Sequence, residues 1–391
     1  MAAQFFVNGA MTASFIARAP QIRDRIGVTI DRFGLLLTIA GAFGLLGSVL
    51  AGRIVDRFGT YRVLMTGAVV MVVALPSMGL ARSPVWYLAA MMAYVFVDVL
   101  VDISMNLQGS WISARRHTPV MNRLHGTWSL GAFTGGLGAA GANAAGLSLP
   151  QHFALVTAVT AGLLIAVSRG LLRADEDGHD DTRDRPVIVP AGRRGRVVPL
   201  ALLLVAGLFA LVVEMTGGDW AAFRLADDFG TSAALASGAF VAFTVGMSSV
   251  RLGGDFFQAR LGRRRLHHWS LATVTVGLVL ASLVPDRWVS IGGFALVGAG
   301  VATFLPMLYD DAARAPGRRG AGLGAMTAGS RIAVLATPVV VGAIAGTSWS
   351  VGGAIAVVTL PCVVGFAAIT ELNERLLRRR PATEAPAARR G

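Results

Sequence analysis

Lysine does not occur in this 391-residue chain, and all 35 of its basic residues are arginine. Cysteine occurs once, at Cys362 in an apolar run, so no intrachain disulfide is possible and thiol redox chemistry has no pair to work with. Charge is scarce: charged residues make up 15% of the chain against 54% apolar ones, and the mean hydropathy is +0.63. That balance excludes water as the main solvent. The chain has no His-Glu-x-x-His, no Cys/His cluster at ligand spacing and no G-x-x-x-x-G-K-[ST] loop. Zinc chemistry and ATP hydrolysis therefore lack their residues, and neither a metal nor a cofactor is expected.

Long apolar runs are what the chain does have. A hydrocarbon core about 30 Å thick needs roughly 17–25 apolar residues per helix. Runs of that order lie at 2–19, 33–51, 63–81, 84–107, 126–149 and 152–168. Six more follow at 197–217, 232–250, 269–285, 288–309, 320–345 and 349–370. Twelve membrane helices are predicted, and the 48 glycines suit their close packing in lipid. Gly320, Gly322 and Gly324 begin one of these runs and read as part of that packing.

The net charge of +13 would suit nucleic acid, but the arginines fall in short clusters between the apolar runs, as membrane topology requires. Alternate connections hold very different numbers of them. The segments after helices 2, 4, 6, 8 and 10, with the tail, hold 27 arginines; the opposite connections hold seven, and Arg331 lies within a run. Both termini are therefore expected in the cytoplasm of a bacterium, with the protein in the inner membrane. Trp86, Trp288 and Trp349 open runs on the outer side, where amphipathic rings anchor at headgroup level. Helix 1 begins almost at Met1 without a basic flank and is followed by Arg18, Arg23, Arg25 and Arg32, so either an upstream start or a short first helix is expected.

The chain also repeats itself. Gly52, Asp56, Arg57, Gly59 and Arg62 form a short basic connection between helices 2 and 3. Between helices 8 and 9, Arg260 and Gly262 match Arg57 and Gly59 at a shift of 203, and Trp288 matches Trp86 at 202. A duplicated half is the physical reading. It sets the expected division as six helices in 1–172, a cytoplasmic linker at 173–196, six helices in 197–372 and a tail at 373–391. In the first copy glycine permits a tight turn, Asp56 can accept from exposed N–H groups at a helix start, and Arg57 can pair with acids across the bundle. The second copy has Ala259 where the acid stands in the first, with Asp255 one turn earlier.

These connections resemble the G-x-x-x-D-R-x-G-R-R signature of the major facilitator superfamily, and the resemblance covers essentially the whole chain. It implies a transporter of two pseudo-symmetric six-helix bundles, monomeric, taking a small-molecule substrate through the bilayer. It also implies that the loop latches the cytoplasmic face when the protein opens outward. Shorter stretches resemble the YbjJ-like branch, distantly related to sugar permeases: Arg18–Arg23, Asp102 with Asn106, Gln108 and Gly109, His125 to Gly131, and Glu214 with Asp219 and Trp220. Drug–proton antiporters of the superfamily are similar to one another in an arginine where Met105 stands here, and in a Gly-Pro kink absent from 131–136.

Charges inside the runs mark candidate sites, because an acid at the bilayer centre costs about 2.5–3.5 kcal/mol and should face the interior. Asp98 and Asp102 are four residues apart on helix 4, hence on one face. Two such carboxylates cannot both ionise cheaply, which suits a proton carrier; alternatively Asp102 pairs with Arg57 or Arg123. Glu214 either lines the cavity or forms an outer-gate salt bridge with Arg18 or Arg23. Arg331 either binds an anionic group or neutralises a carboxylate, and Asn8 either contacts solute or packs. Asn106, Gln108 and His125 are expected to support the inner gate. Asp310 and Asp311 end helix 10, where Arg314, Arg318 and Arg319 would offset their charge. The expectation is proton-coupled movement of a small polar, sugar-like solute by alternating access. The alternatives are an efflux antiporter for a drug or metabolite, and a membrane sensor or assembly partner that moves nothing.

Overall fold

The computed structural model describes residues 1–116, 120–172, 193–313, 315 and 321–378. Among these there is no strand. Helices α1 (Ala2–Ile16), α2 (Ala19–Ile26), α3 (Ile30–Phe58), α4 (Thr60–Leu80), α5 (Pro84–Arg116), α6 (Met121–Ala144) and α7 (Leu149–Val167) make the first half. The second half holds α8 (Arg193–Asp219), the single turn α9 (Ala221–Phe223), α10 (Ala233–Leu261), α11 (Arg263–Leu283), α12 (Arg287–Val301), α13 (Phe304–Ala313), α14 (Ala321–Ala345) and α15 (Val351–Arg378). Ten spans are individually long and apolar enough to cross a bilayer, with α12 and α13 together forming one of them. The 15-residue α1 and the glycine-dense α6 complete twelve crossings.

Several helices outrun their apolar runs. Residues 30–58 are helical where hydrophobicity marked 33–51, and helix 4 reaches Arg116 rather than 107. Hydropathy reports only the stretch facing lipid, whereas backbone hydrogen bonding continues into the aqueous layer. Asp56 and Arg57 consequently sit on the last turn of α3, and the turn itself is made by Gly59 at φ +77°. Gly262 does the same between α10 and α11 at φ +73°. Helix 10, predicted as one run, is broken at Ala302 and Thr303. Pro306 lies four residues after Ala302, and its ring would clash with that carbonyl in a continuous helix. Of the arginines after helix 1, Arg23 and Arg25 are carried on α2, a helix rather than a loop, while Arg18 stands at its N-cap and Arg32 on the first turn of α3.

The two halves use the same pairings. In the first, α1 packs on α6 and α7, α5 on α3 and α4, and α4 on α7. In the second, α8 packs on α14 and α15, α12 on α10 and α11, and α11 on α15. The halves meet along α3 against α14 and α6 against α10, again as equivalents. The repeat reaches individual contacts. Gly9 lies against the Trp128 carbonyl and Gly131 against that of Phe6; Gly207 lies against the Met326 carbonyl and Gly329 against that of Leu204. Each residue of the first set lies 198 before its equivalent (9 and 207, 128 and 326, 131 and 329, 6 and 204).

Close backbone approach of this kind replaces the hydrophobic drive that lipid cannot supply. A Cβ on Gly135 would overlap the Ala10 carbonyl of α1, whereas one on Gly138, a turn further along α6, would meet nothing within 4 Å. Gly135→Ala is therefore expected to cost about 3 kcal/mol or more, as overpacking against an immobile backbone does. Gly138→Ala should lie within about 1 kcal/mol of the parent, on the stabilising side. Melting curves of the two purified variants, read by fluorescence-detected gel filtration, would check this; equal melting would contradict the packing described.

Candidate functional site

At the centre of the first half, three helices contribute one hydrogen-bonded chain. The Trp128 indole N–H of α6 donates to Asn8 Oδ1 at 2.8 Å, and Asn8 Nδ2 of α1 donates to Asp98 Oδ1 of α5 at 2.6 Å. Asn8 can do this because it lies on the face of α1 that Gly131 and Gly135 allow close to α6. One turn before Asp98, the buried Tyr94 hydroxyl meets Thr12 Oγ1 of α1 at 3.1 Å. Asp98 thus faces the interior of the bundle, half-buried, with its carboxylate held by a neutral amide rather than a cation.

Asp102, one turn further along α5, is exposed toward the end of the bundle that carries the Gly59 and Gly262 turns. Asn106 donates to its Oδ1 at 3.1 Å and to its backbone carbonyl at 2.9 Å. Arg331 on α14 supplies positive charge to its surroundings, and His125 of α6 lies within electrostatic reach of it. Neither Arg57 nor Arg123, the partners expected for Asp102, makes an ion pair among the described residues. Arg57 instead lies over the ring of its neighbour Phe58, because on the last turn of α3 it points outward. Asp56, Arg57 and Arg62 are all exposed there, and Arg260 covers Phe256 in the same manner.

From the second half, Arg331 reaches across to α3 and donates to Ser48 Oγ at 3.1 Å. Glu214, on α8, accepts from Arg251 of α10 at 3.2 Å. The outer-gate pairing of Glu214 with Arg18 or Arg23 is thereby corrected: Glu214 lies five residues short of the end of α8, too far inside to reach either arginine. Its other oxygen, Oε2, is buried without a protein partner among the described residues. Glu214 and Asp219 line a cavity of about 140 Å³ between α1, α6, α8 and α10, together with Trp128 and Ser129. Tyr309 on α13 feels the charges of Asp102, Arg331 and Glu214, so the polar groups of the two halves form one cluster.

That cluster is not symmetric. At the shift of 198, the equivalent of Asn8 is Ala206, and at 203 those of Asp98 and Asp102 are Val301 and Leu305. The duplicated scaffold carries Asp98 and Asp102 in the first half only, and Arg331 and the Arg251–Glu214 pair in the second half only. Trp128, Tyr94, Thr12, Arg251, Asp219 and Tyr309 were absent from the residues singled out by sequence as site candidates. Trp128 lies three residues after His125 on the same face of α6 and was open to the same helical reasoning.

The remaining sequence candidates make local contacts. Gln108 is buried, donating to Thr60 Oγ1 and to the Leu172 carbonyl at 3.0 Å each, which ties α5 to α4 and to the chain after α7. Asp311 pairs with Arg263 at 2.6 Å, while Arg314, Arg318 and Arg319 lie outside the described residues. The side chain of Asp255 also lies outside them. His125 packs edge-on against Phe5.

The end opposite the Gly59 and Gly262 turns is closed across the halves. Arg23 of α2 forms a two-pronged ion pair with Asp227, one contact being Nη2 to Oδ1 at 2.9 Å, and its guanidinium covers Phe223 at 5.4 Å. The Asp227 partner more than offsets burial and holds the Arg23 guanidinium above its ordinary value. Beneath it the buried rings of Tyr87, Phe33, Phe223 and Trp220 follow one another at 5.2–5.7 Å. Asn143 donates to the Ala233 carbonyl at 3.1 Å, and Ser237 to that of Ala17 at 2.7 Å. Further toward the other end, Arg331 to Ser48 is the last hydrogen bond between the halves among the described residues.

The sequence profile of the Major Facilitator Superfamily matches residues 1–216 and again 202–391. An uncharacterised transporter of Sinorhizobium fredii is 29% identical over 316 residues, covering 80% of this chain and 81% of that one. An uncharacterised MFS-type transporter of Yersinia pestis is 25% identical over 79% of this chain and 78% of its own. The membrane protein MosC of Rhizobium meliloti is 27% identical over 80% and 74%. Among solved structures, the nucleoside transporter NupG superposes with a TM-score of 0.73 at 11% identity, covering 97% of this chain and 98% of that one. A bacterial homologue of the human drug peptide transporters PepT1 and PepT2 gives 0.71 at 13% identity, over 96% of each chain.

Proposed function

The chain belongs to the major facilitator superfamily and is a multi-pass membrane transporter rather than an enzyme, and from that premise we propose that it takes up a small polar, sugar-like solute together with protons. The observation that carries this reading is the Trp128–Asn8–Asp98 chain, a carboxylate held by an amide inside the bundle, one turn from Asp102 and across from Arg331. A carboxylate with no fixed cation in direct contact is free to exchange a proton for a solute donor, which is what coupling requires. The 27-to-7 arginine bias puts the Gly59 and Gly262 turns on the cytoplasmic side. On this reading the protein is seen in the form closed outward, with the exposed latch residues Asp56, Arg57 and Arg260 on the open face. Residues 1–172 rock against 197–372 about the central cluster, in the manner of paired repeats.

NupG is named for nucleosides and the second neighbour for peptides, so these two classes and free sugars form the panel to screen. Purified protein would be melted against the panel, and each stabilising compound then tested in proteoliposomes under an imposed pH step. Uptake that follows an inwardly directed proton gradient is the expected outcome. Stabilisation only by hydrophobic cations, with accumulation in inverted vesicles, would replace this reading by efflux.

A further inference from the structure

We propose that the first half holds a small inorganic anion, chloride in size and charge, between Arg18 and His152 at the N-terminal end of α7. Arg18 stands between α1 and α2 with 3% of its surface exposed, and His152, on the first turn of α7, has 2% exposed. Arg18 spends two of its groups on neutral acceptors: Nε donates to Gln21 Oε1 at 2.5 Å and Nη2 to the Leu147 carbonyl at 2.9 Å. Its third group, Nη1, has no acceptor among the described residues, and neither ring nitrogen of His152 has a partner. Whichever tautomer His152 adopts, one N–H is left over beside a second unused donor.

The charge balance points the same way. Burial lowers the Arg18 guanidinium to about 10, so it stays charged at neutral pH, and no carboxylate contributes to its environment. Arg18 is in turn the charge that acts on His152. Leu147, which Arg18 holds, precedes α7 by two residues, so the guanidinium is fixed at the positive end of that helix. The capping box of Ser148 and Gln151 closes that end with side-chain acceptors but adds no negative charge. A buried guanidinium, a helix start and an imidazole N–H converge with no acid among them. The physically complementary occupant is an anion small enough for a site sealed from solvent. Arg224, the buried arginine of the second half, makes the contrast: it pairs with Asp228, which also caps α15.

The test uses the full-length protein in detergent, melted in sodium chloride or sodium gluconate at matched ionic strength. Chloride is expected to raise the melting temperature saturably by several degrees over gluconate, as a ligand of the folded state does. Arg18→Gln should abolish the difference, and His152→Leu should shift the half-saturating chloride at least tenfold upward. If Arg18→Gln does not fold, His152→Leu alone decides. Equal melting of the parent in the two salts would mean that the site takes water only and would overturn the proposal. So would a chloride effect that persists undiminished in the variants, which would mark general salt action.

Discussion

Arg23→Ala is expected to open the end of the transporter that this structure shows closed. The pair it forms with Asp227 is the one ion pair between the halves among the described residues, and both side chains are largely shielded, at 13% and 25% exposure. A shielded, two-pronged arginine–carboxylate contact contributes about 1.5–3 kcal/mol, so its loss shifts the balance of open and closed forms by roughly tenfold to a hundredfold. The readout is a cysteine in the cavity, Ser248→Cys on a Cys362→Ser background, reacting with an impermeant thiol reagent applied to intact cells. Its labelling should accelerate at least tenfold in Arg23→Ala and return toward the parent rate in the swap Arg23→Asp with Asp227→Arg. Unchanged labelling in all three would remove the pair from the gate and leave closure to the Phe33, Phe223 and Trp220 rings.

The second large effect concerns coupling. Asp98→Asn keeps the shape of the side chain and the oxygen that accepts from Asn8, so the fold is retained. It cannot carry a proton. Gradient-driven accumulation of a solute identified by the melting screen is expected to fall about a hundredfold, to the level of simple equilibration, a loss of about 2.7 kcal/mol of driving force. Exchange of labelled for unlabelled solute across the same vesicles should continue. Asp102→Asn should be milder, because Asp102 is exposed and has the charge of Arg331 within reach to balance it. Accumulation by Asp98→Asn at the parent level would move the coupling role elsewhere, with Glu214 and Asp219 next in line.

Which of these features could be read from sequence follows from what each depends on. Membrane crossing depends on a run of apolar residues, and it was legible in the ten runs whose helices are long and apolar enough to cross a bilayer. The duplication was legible in Arg57 with Arg260 and Gly59 with Gly262, since turns constrain residue type strongly. The glycine contacts at a shift of 198 were not, because in a chain with 48 glycines a matched pair carries little information until it is seen against a carbonyl. That Asp98 faces inward followed from the cost of the alternative. Its partners Asn8 and Trp128 did not, because they depend on how three helices are rotated about their axes. Glu214 shows the same limit in the opposite direction: its distance along α8 could have excluded Arg18 and Arg23, whereas its pairing with Arg251 depends on how α8 and α10 are rotated toward each other. The break in helix 10 was legible in Pro306, and the long apolar run around it hid the signal.

In the proposed mechanism two six-helix units move against each other about a polar cluster, closing one end as the other opens. Distances between spin labels on the exposed positions Arg57 and Arg260, and in a second protein on Arg82 and Arg287, each changed to cysteine, would follow the two ends separately. Introducing Arg23→Ala should shorten the first distance and lengthen the second. Two distances that stay fixed, or that change in the same direction, would contradict alternating access in this protein.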